Sequence, residues 1–447
     1  MKKIMIAAVL ITAFNYGYSQ KQFDSAAYVQ FYKNLYPGFS IDTVTKLKNL
    51  SAEEKIEGLS KVWYEAKFNF ANFDLVPNLN WDSIYRIFIP KVLATKDIIS
   101  YYQQLKNFNQ YLHDGHSRIY EPPAYFIEQT ANLPLQFRLI DNSYVLTFIA
   151  SPDAAFNVLK KGWTVSKINN MEVNKYICEN VSPYLSFSTA QDSVARICNY
   201  EMLRGAKGSK VTIEFRDEMN KPITLTFTRI IQEDLPLLDF KVLPGNIGYL
   251  QLNSFNDEKI VKMFDSLFDQ INTTSSLIID VRKNGGGSSQ NGYEILGCLT
   301  DKNFYTDISV MRSYHPLERA WNNNPVKVKL NADDWKPYKG KYYNKPVVLL
   351  TDAATYSAAE DFTAAFKMMK HRKIFGQPTG GSTGQPMGYA LPGGGLGFVC
   401  SKRDYMPDGE EFVGVGIQPD VKVDYTLPGI REGRDEVLDA TADSLKQ

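Results

Sequence analysis

Hydrophobic spacing changes along this chain, and each change marks a different kind of element. From about residue 21 to 125 the apolar positions recur at helical intervals. Leu47 and Leu50 precede a Ser51-Ala52-Glu53-Glu54 start; Val62-Trp63-Tyr64, Tyr101-Tyr102 and Leu105 continue the period. Ser51 and Glu54 have capping-box spacing. From about Leu133 to Arg229 apolar and polar residues alternate, which predicts a β-rich module over 126–232. Short apolar runs of strand length then appear at Ser276–Val281 and Pro346–Leu350. Phe362, Ala365, Phe366 and Met369 follow the second run at i, i+3, i+4, i+7, the buried stripe of a helix. Residues 240–430 therefore read as an α/β core with crossover connections. Residues 431–447 read as a polar helix with Val437, Leu438, Thr441 and Leu445 on one side. The fold class is mixed α/β (multidomain α+β).

Both strand-length runs end in loops with chemical potential. After Pro346–Leu350 comes Thr351-Asp352-Ala353-Ala354-Thr355-Tyr356-Ser357-Ala358-Ala359-Glu360. The Ser357 hydroxyl falls at a sheet edge, above the positive end of a helix dipole, where a developing oxyanion is stabilised. A helix-capping serine would produce the same local pattern. The earlier run leads into Asp280-Val281-Arg282-Lys283-Asn284-Gly285-Gly286-Gly287. Consecutive glycines let backbone N–H groups approach a negative charge closely. A phosphate loop would end in Gly-Lys-Ser/Thr, and that ending is missing.

Together these two segments resemble the tail-specific and tricorn-type serine peptidases. The resemblance runs through most of the chain and is strongest from Gly245 to Val421. It implies that Ser357 is the nucleophile, with Gly286 and Ala358 supplying oxyanion-hole N–H groups and Gly285 and Gly287 lying against substrate. C-terminal processing members carry a general-base lysine after a Gly-Glu-Arg-Thr-x-Gly run. The matching segment here is Gly376-Gln377-Pro378-Thr379-Gly380-Gly381-Ser382, with Ser382 at the lysine position. Lys373 lies nearby but out of register. The base must come from elsewhere, as in the tricorn-like branch.

His113, His116, His315 and His371 are the histidines. His116 stands in Asp114-Gly115-His116-Ser117, which resembles the segment that carries the base in that branch, so His116 is the expected base. A metal site at His113 and His116 would need a further ligand cluster, and none is visible; no metal and no cofactor are expected. His315 and His371 read as solvated. Titrating near the ordinary imidazole value, His116 would make activity rise as pH passes about 6 to 7.

A histidine base needs an acceptor behind it. The family's relay glutamate precedes a Gly-Val-x-Pro-Asp motif, matched here by Gly416-Ile417-Gln418-Pro419-Asp420, and its position falls on Val413. Glu411 is the expected substitute, with Glu410 and Asp408 as neighbours. Glu360, one helical turn beyond Ser357, could orient the site instead, or simply favour the helix dipole.

Within the β-rich module, Gly162–Asn170 and Leu203–Ile213 resemble parts of a permuted PDZ domain, with Lys175–Tyr200 as an inserted helical hairpin. In the family such a domain admits peptide by strand addition. Gly395-Leu396-Gly397-Phe398 copies a PDZ carboxylate loop but falls in the α/β region, as a strand after a glycine turn.

Composition sets the remaining bounds. A hydrophobic fraction of 44 % over 447 residues suffices for large cores, and the length suggests about three domains. Met1-Lys2-Lys3, an apolar Ile4–Phe14 and a small residue near Ser19 read as a secretory signal over 1–20. No cysteine lies there, so the expected product is exported, periplasmic or extracellular, and not lipid-anchored. No later run is long enough to span a bilayer. The formal charge of +1 gives no pull toward nucleic acid or anionic membranes. Cys178 and Cys198 could pair in an oxidising compartment.

The function expected is an exported serine endopeptidase with a Ser357–His116 pair, a glutamate-assisted acyl-enzyme and protein or peptide substrates. The alternative is an inactive peptide- or apolar-ligand-binding scaffold of the same fold.

Overall fold

The computed structural model describes residues 23–35, 47–150, 153–232, 235–323, 326–369 and 372–446. The expected secretory signal and His371 lie outside these residues. Residues 1–40 and 41–447 form two compact units. The described part of the first holds one helix, Ser25–Leu35.

Three helices, Ala52–Asn69, Trp81–Leu93 and Ile98–Asn109, open the second unit. The first starts at the capping box its spacing predicts: Glu54 N–H donates to Ser51 Oγ and Ser51 N–H to Glu54. The helices do not close a core by themselves. Val62, Phe88, Tyr102 and Phe108 pack with Tyr389, Val399 and Cys400, some three hundred residues on. The link is a three-stranded sheet in the order Arg118–Tyr120, Leu396–Cys400, Pro386–Ala390. The Gly395–Phe398 segment is thus a central strand beside the one that follows His116.

An antiparallel sheet ordered Leu135–Ile140, Ser143–Ile149, Thr164–Ile168, Lys210–Arg216, Pro222–Thr228 forms the β-rich module. Leu135–Ile140 and Pro222–Thr228 are its edge strands. The helices Val173–Asn180 and Ala190–Arg196 occupy the inserted stretch. Cys178 and Cys198 are free thiols, one exposed and one buried.

The largest core surrounds a six-stranded sheet ordered Val421–Lys422, Lys373–Gly376, Val347–Thr351, Ser276–Asp280, Ile247–Leu252, Leu238–Leu243. All neighbouring pairs are parallel except the last. The central strands Ser276–Asp280 and Val347–Thr351 are buried throughout, which is why their sequences read as continuous apolar runs. In a parallel sheet the loops leaving consecutive strands emerge at one edge. Here the strands ending at Asp280, Thr351 and Gly376 send out the glycine loop, the Ser357 loop and the Ser382 loop.

The charged residues of the Asp280–Gly287 segment serve this architecture. Arg282 is bound by Asp280 (Nη2–Oδ2 2.6 Å) and Asp435 (2.8 Å), and Tyr249 donates to Asp280 (2.6 Å). Asp435 also caps the last helix, Glu436–Ser444. That helix begins five residues later than its sequence pattern suggests, because Gly433 turns the chain through a left-handed φ of 73°.

Candidate active site

Ser357 sits between strand and helix with φ 57° and ψ −128°, a conformation that costs a non-glycine residue energy. Surrounding bonds hold it there. Its N–H donates to Ser382 O (3.1 Å), Tyr356 N–H donates to Asn284 O (3.0 Å), and Thr355 Oγ1 donates to Val281 O (3.0 Å). The three loops are therefore laced together. The strained turn brings Ser357 Oγ within 3.0 Å of His116 Nε2.

His116 arrives from the helical side, just before strand Arg118–Tyr120. Asp114 braces the turn by accepting from His116 N–H (2.9 Å) and Ser117 N–H (2.7 Å). The other imidazole nitrogen, Nδ1, lies 2.8 Å from Ser382 Oγ. Tyr356 stacks on the ring, with centroids 5.0 Å apart and planes 20° apart. A neutral imidazole carries one N–H. With Nδ1–H donating to Ser382, Nε2 is left to accept from Ser357. Burial, together with the positive charges of Arg118, Arg196 and Lys402, pushes the imidazole down to about 3. This departs from the ordinary imidazole value expected from the sequence, because burial arises only on folding and Arg196 and Lys402 come from distant segments.

Glu360 is fully buried behind the Ser382 loop. It accepts from Thr379 Oγ1 (2.6 Å), Gly381 N–H (2.7 Å), Ser382 N–H (2.8 Å) and Ser357 N–H (3.3 Å). Burial pushes its carboxyl up to about 8, against the pull of the Thr379, Ser382 and Gly381 donors toward the anion. Glu360 joins two loops and does not touch the imidazole nitrogens.

Glu411 lies elsewhere. It is exposed, its carboxylate pairs with Arg403 (3.1 Å), and its backbone bridges Tyr405. Asp408 accepts from Glu410 N–H in the same exposed turn (3.0 Å). Val413 is buried in the main core. The structure thus places a hydroxyl, that of Ser382, where a carboxylate was expected from Glu411. His113 packs edge-on against Phe187 (centroids 5.5 Å apart), and His315 Nε2 is 2.7 Å from Ser313 Oγ.

Gly286 lies against the serine: a Cβ there would stand 2.6 Å from Ser357 Cβ and 2.8 Å from Tyr356 O. Its N–H donates to Asn284 Oδ1 (2.9 Å). Gly285 and Gly287 are exposed beside it. Ala358 occupies the first position of helix Ala358–Lys367, where the backbone N–H has no intrahelical acceptor. A cavity of about 1010 Å³ opens over Ser357 and His116 and is lined also by Tyr120, Phe126, Phe398 and Lys402.

Residues 246–423 match peptidase family S41. The chain is 25 % identical over 236 residues to carboxyl-terminal-processing peptidase 2 of Arabidopsis thaliana, covering 51 % of this chain and 43 % of that protein. It is 25 % identical over 226 residues to a CtpA-like serine protease of Staphylococcus haemolyticus, covering 50 % and 42 %. The match therefore spans less than half the length of these relatives. In fold, the chain is similar to mature CPAF, with TM-score 0.67 at 14 % identity over 88 % of this chain and 98 % of that one. It is also similar to the photosystem II D1 C-terminal processing protease, with TM-score 0.51 at 19 % identity over 86 % and 98 %.

Of the site, Ser357, the glycine loop and His116 were readable as motifs. Ser382 was visible only as the residue replacing a lysine. Tyr356 and Asn284 gave no separate signal, and the inserted helical hairpin was legible as helix but carried no sign that it reaches the site.

Proposed function

We propose that this chain is an exported serine endopeptidase of the histidine-base kind, acting on proteins or peptides. The observation that carries the reading is the line Ser357 Oγ, His116 Nε2, His116 Nδ1, Ser382 Oγ, with gaps of 3.0 and 2.8 Å. His116 takes the Ser357 proton at Nε2 while Nδ1–H stays on Ser382. Ser357 Oγ bonds to the substrate carbonyl carbon. Ala358 N–H and a donor from the glycine loop hold the oxyanion. Nε2–H then protonates the departing amine as the C–N bond breaks, and water releases the acyl group by the reverse proton route. In this reading Glu360 is a positioning residue that holds Ser382, and Glu411 has no part in the chemistry. Leu135–Ile140 is one of the two edge strands of the antiparallel sheet, the kind of place where an extended peptide can add, which supports a PDZ-like role for residues 126–232. No described helix is long and apolar enough to cross a membrane.

The test is reaction of the purified protein with a fluorophosphonate, mapping the modified residue by mass spectrometry, with His116→Ala in parallel. Labelling at Ser357 that disappears in the histidine variant supports the reading. Folded protein that stays unlabelled, with and without added peptide, would point instead to the binding scaffold.

A further inference from the structure

The inserted helix Ala190–Arg196 belongs by sequence to the antiparallel module, yet its contacts run to the site. Ser188 Oγ accepts from Gly115 N–H (2.9 Å), one residue before His116. Thr189 Oγ1 donates to Gly380 O (2.8 Å), and Gln191 Nε2 donates to Val415 O (2.8 Å) and Thr379 O (3.2 Å). One short segment thus grips both the His116 turn and the Ser382 loop.

Behind these contacts lies a buried ion pair. Asp192 accepts from Ser188 N–H (2.9 Å) and from Arg196 Nε (2.5 Å). The Arg196 guanidinium carbon stands 4.8 Å from the centre of the Tyr356 ring, and that same ring stacks on His116. Gly115 is where the layers meet. A Cβ there would lie 2.0 Å from Tyr356 Oη, 2.8 Å from Arg196 Nη2 and 3.0 Å from Asp192 Oδ2.

We propose that Asp192 and Arg196 are positioning residues that press Tyr356 onto His116 and hold the imidazole between Ser357 and Ser382. This rests on the peptidase reading for its purpose, though not for its test. A guanidinium over an aromatic face is attracted to it, and a buried carboxylate partner fixes where it sits. Its second effect is electrostatic. Arg196 is one of the cations that oppose a proton on His116, with Arg118 on the adjoining strand and Lys402 across the cleft. Asp114 under the turn, Asp192 in the pair and Glu360 behind Ser382 are the facing carboxyls. The Arg196 charge therefore adds to burial and to Arg118 in holding the imidazole unprotonated and ready to accept.

The test follows His116 ring nitrogens by NMR in full-length protein with ¹⁵N-labelled histidine. In wild type the His116 imidazole stays neutral at pH 4.5. In Arg196→Met, which keeps the aliphatic stem but not the charge, the ratio of protonated to neutral His116 at that pH rises about tenfold. This is the change expected for losing a cation at such range in a protein interior. Arg196→Lys returns the ratio toward wild type. Near-ultraviolet circular dichroism checks the fold, and Arg196→Gln serves if the methionine variant does not fold. An unchanged ratio in the folded uncharged variant overturns the proposal. Failure of wild type to react with a fluorophosphonate at Ser357 would instead remove the peptidase reading and leave this titration to decide the stack.

Discussion

The Ser382 hydroxyl lies 2.8 Å from His116 Nδ1, on the far side of the imidazole from Ser357. A hydroxyl accepts the Nδ1–H bond without adding negative charge, so it fixes the tautomer but stabilises an imidazolium less than a carboxylate does. Ser382→Ala is expected to lower kcat by on the order of 10²-fold with little change in KM. The loss should be smaller than the ~10⁴-fold fall seen when a buried aspartate behind such a histidine is neutralised. Steady-state kinetics on a peptide substrate decides it, and an unaltered kcat would remove Ser382 from the relay.

Ser357→Ala should abolish hydrolysis, a fall of about 10⁴-fold or more, because nucleophile and base act as a unit. The melting temperature should stay within a few degrees of wild type. Peptidase activity retained in this variant would sink the assignment.

Glu411→Ala provides the contrast. The residue is exposed and paired with Arg403, so its removal should leave kcat within about twofold and cost about 0–1 kcal/mol. A fall in kcat as large as that of the Ser382 variant would restore Glu411 to the relay.

The pH dependence has a defined sign. Burial and like charges depress the His116 proton affinity to about 3, so the neutral base predominates from there upward. The His116 titration should therefore give kcat/KM no limb near pH 6.5. A limb at that value, absent when His116 is replaced, would show an imidazole that titrates freely in the working enzyme. The same group makes stability fall as pH drops from about 6.5 toward 3, because the unfolded chain binds the proton more readily. Glu360 has the opposite sign. Its raised value makes stability fall as pH rises from about 4.3 toward 8.

Glu360→Gln tests the brace between the loops. Both carboxylate oxygens accept from donors, and the amide of glutamine would turn its own N–H groups toward one side. Each buried bond lost costs about 1–3 kcal/mol. The variant should melt earlier and lose activity in step with disorder of the Ser382 loop, which hydrogen exchange at Gly381 and Ser382 can follow. Unchanged protection at those two amides would show that Glu360 does not hold the loop.

What could be read from the sequence was whatever depends on neighbours in the chain. The buried parallel strands, the glycine loop and the serine at a strand-to-helix turn are local patterns. His116 could be named because Asp114-Gly115-His116-Ser117 resembles a known segment. Glu411 was misplaced for a physical reason: two residues of offset in an exposed turn send its side chain to Arg403, while the expected position, Val413, enters the core. The depressed proton affinity of His116 was invisible because its burial and the approach of Arg196 and Lys402 arise only on folding. The mixed core of the helices with Tyr389 and Val399 was hidden for the same reason, since nothing local records a partner three hundred residues away.

That mixed core has a consequence for how the molecule would lose activity. The imidazole is carried by the helical body and its small sheet, whereas both serines are carried by loops of the large parallel sheet. Gaps of 3.0 and 2.8 Å therefore measure the docking of one body on another. A slight loosening between them, with every helix and strand intact, would part base from nucleophile. Heating should silence the site below the temperature at which either body melts, so inactivation and unfolding would appear as two separate events.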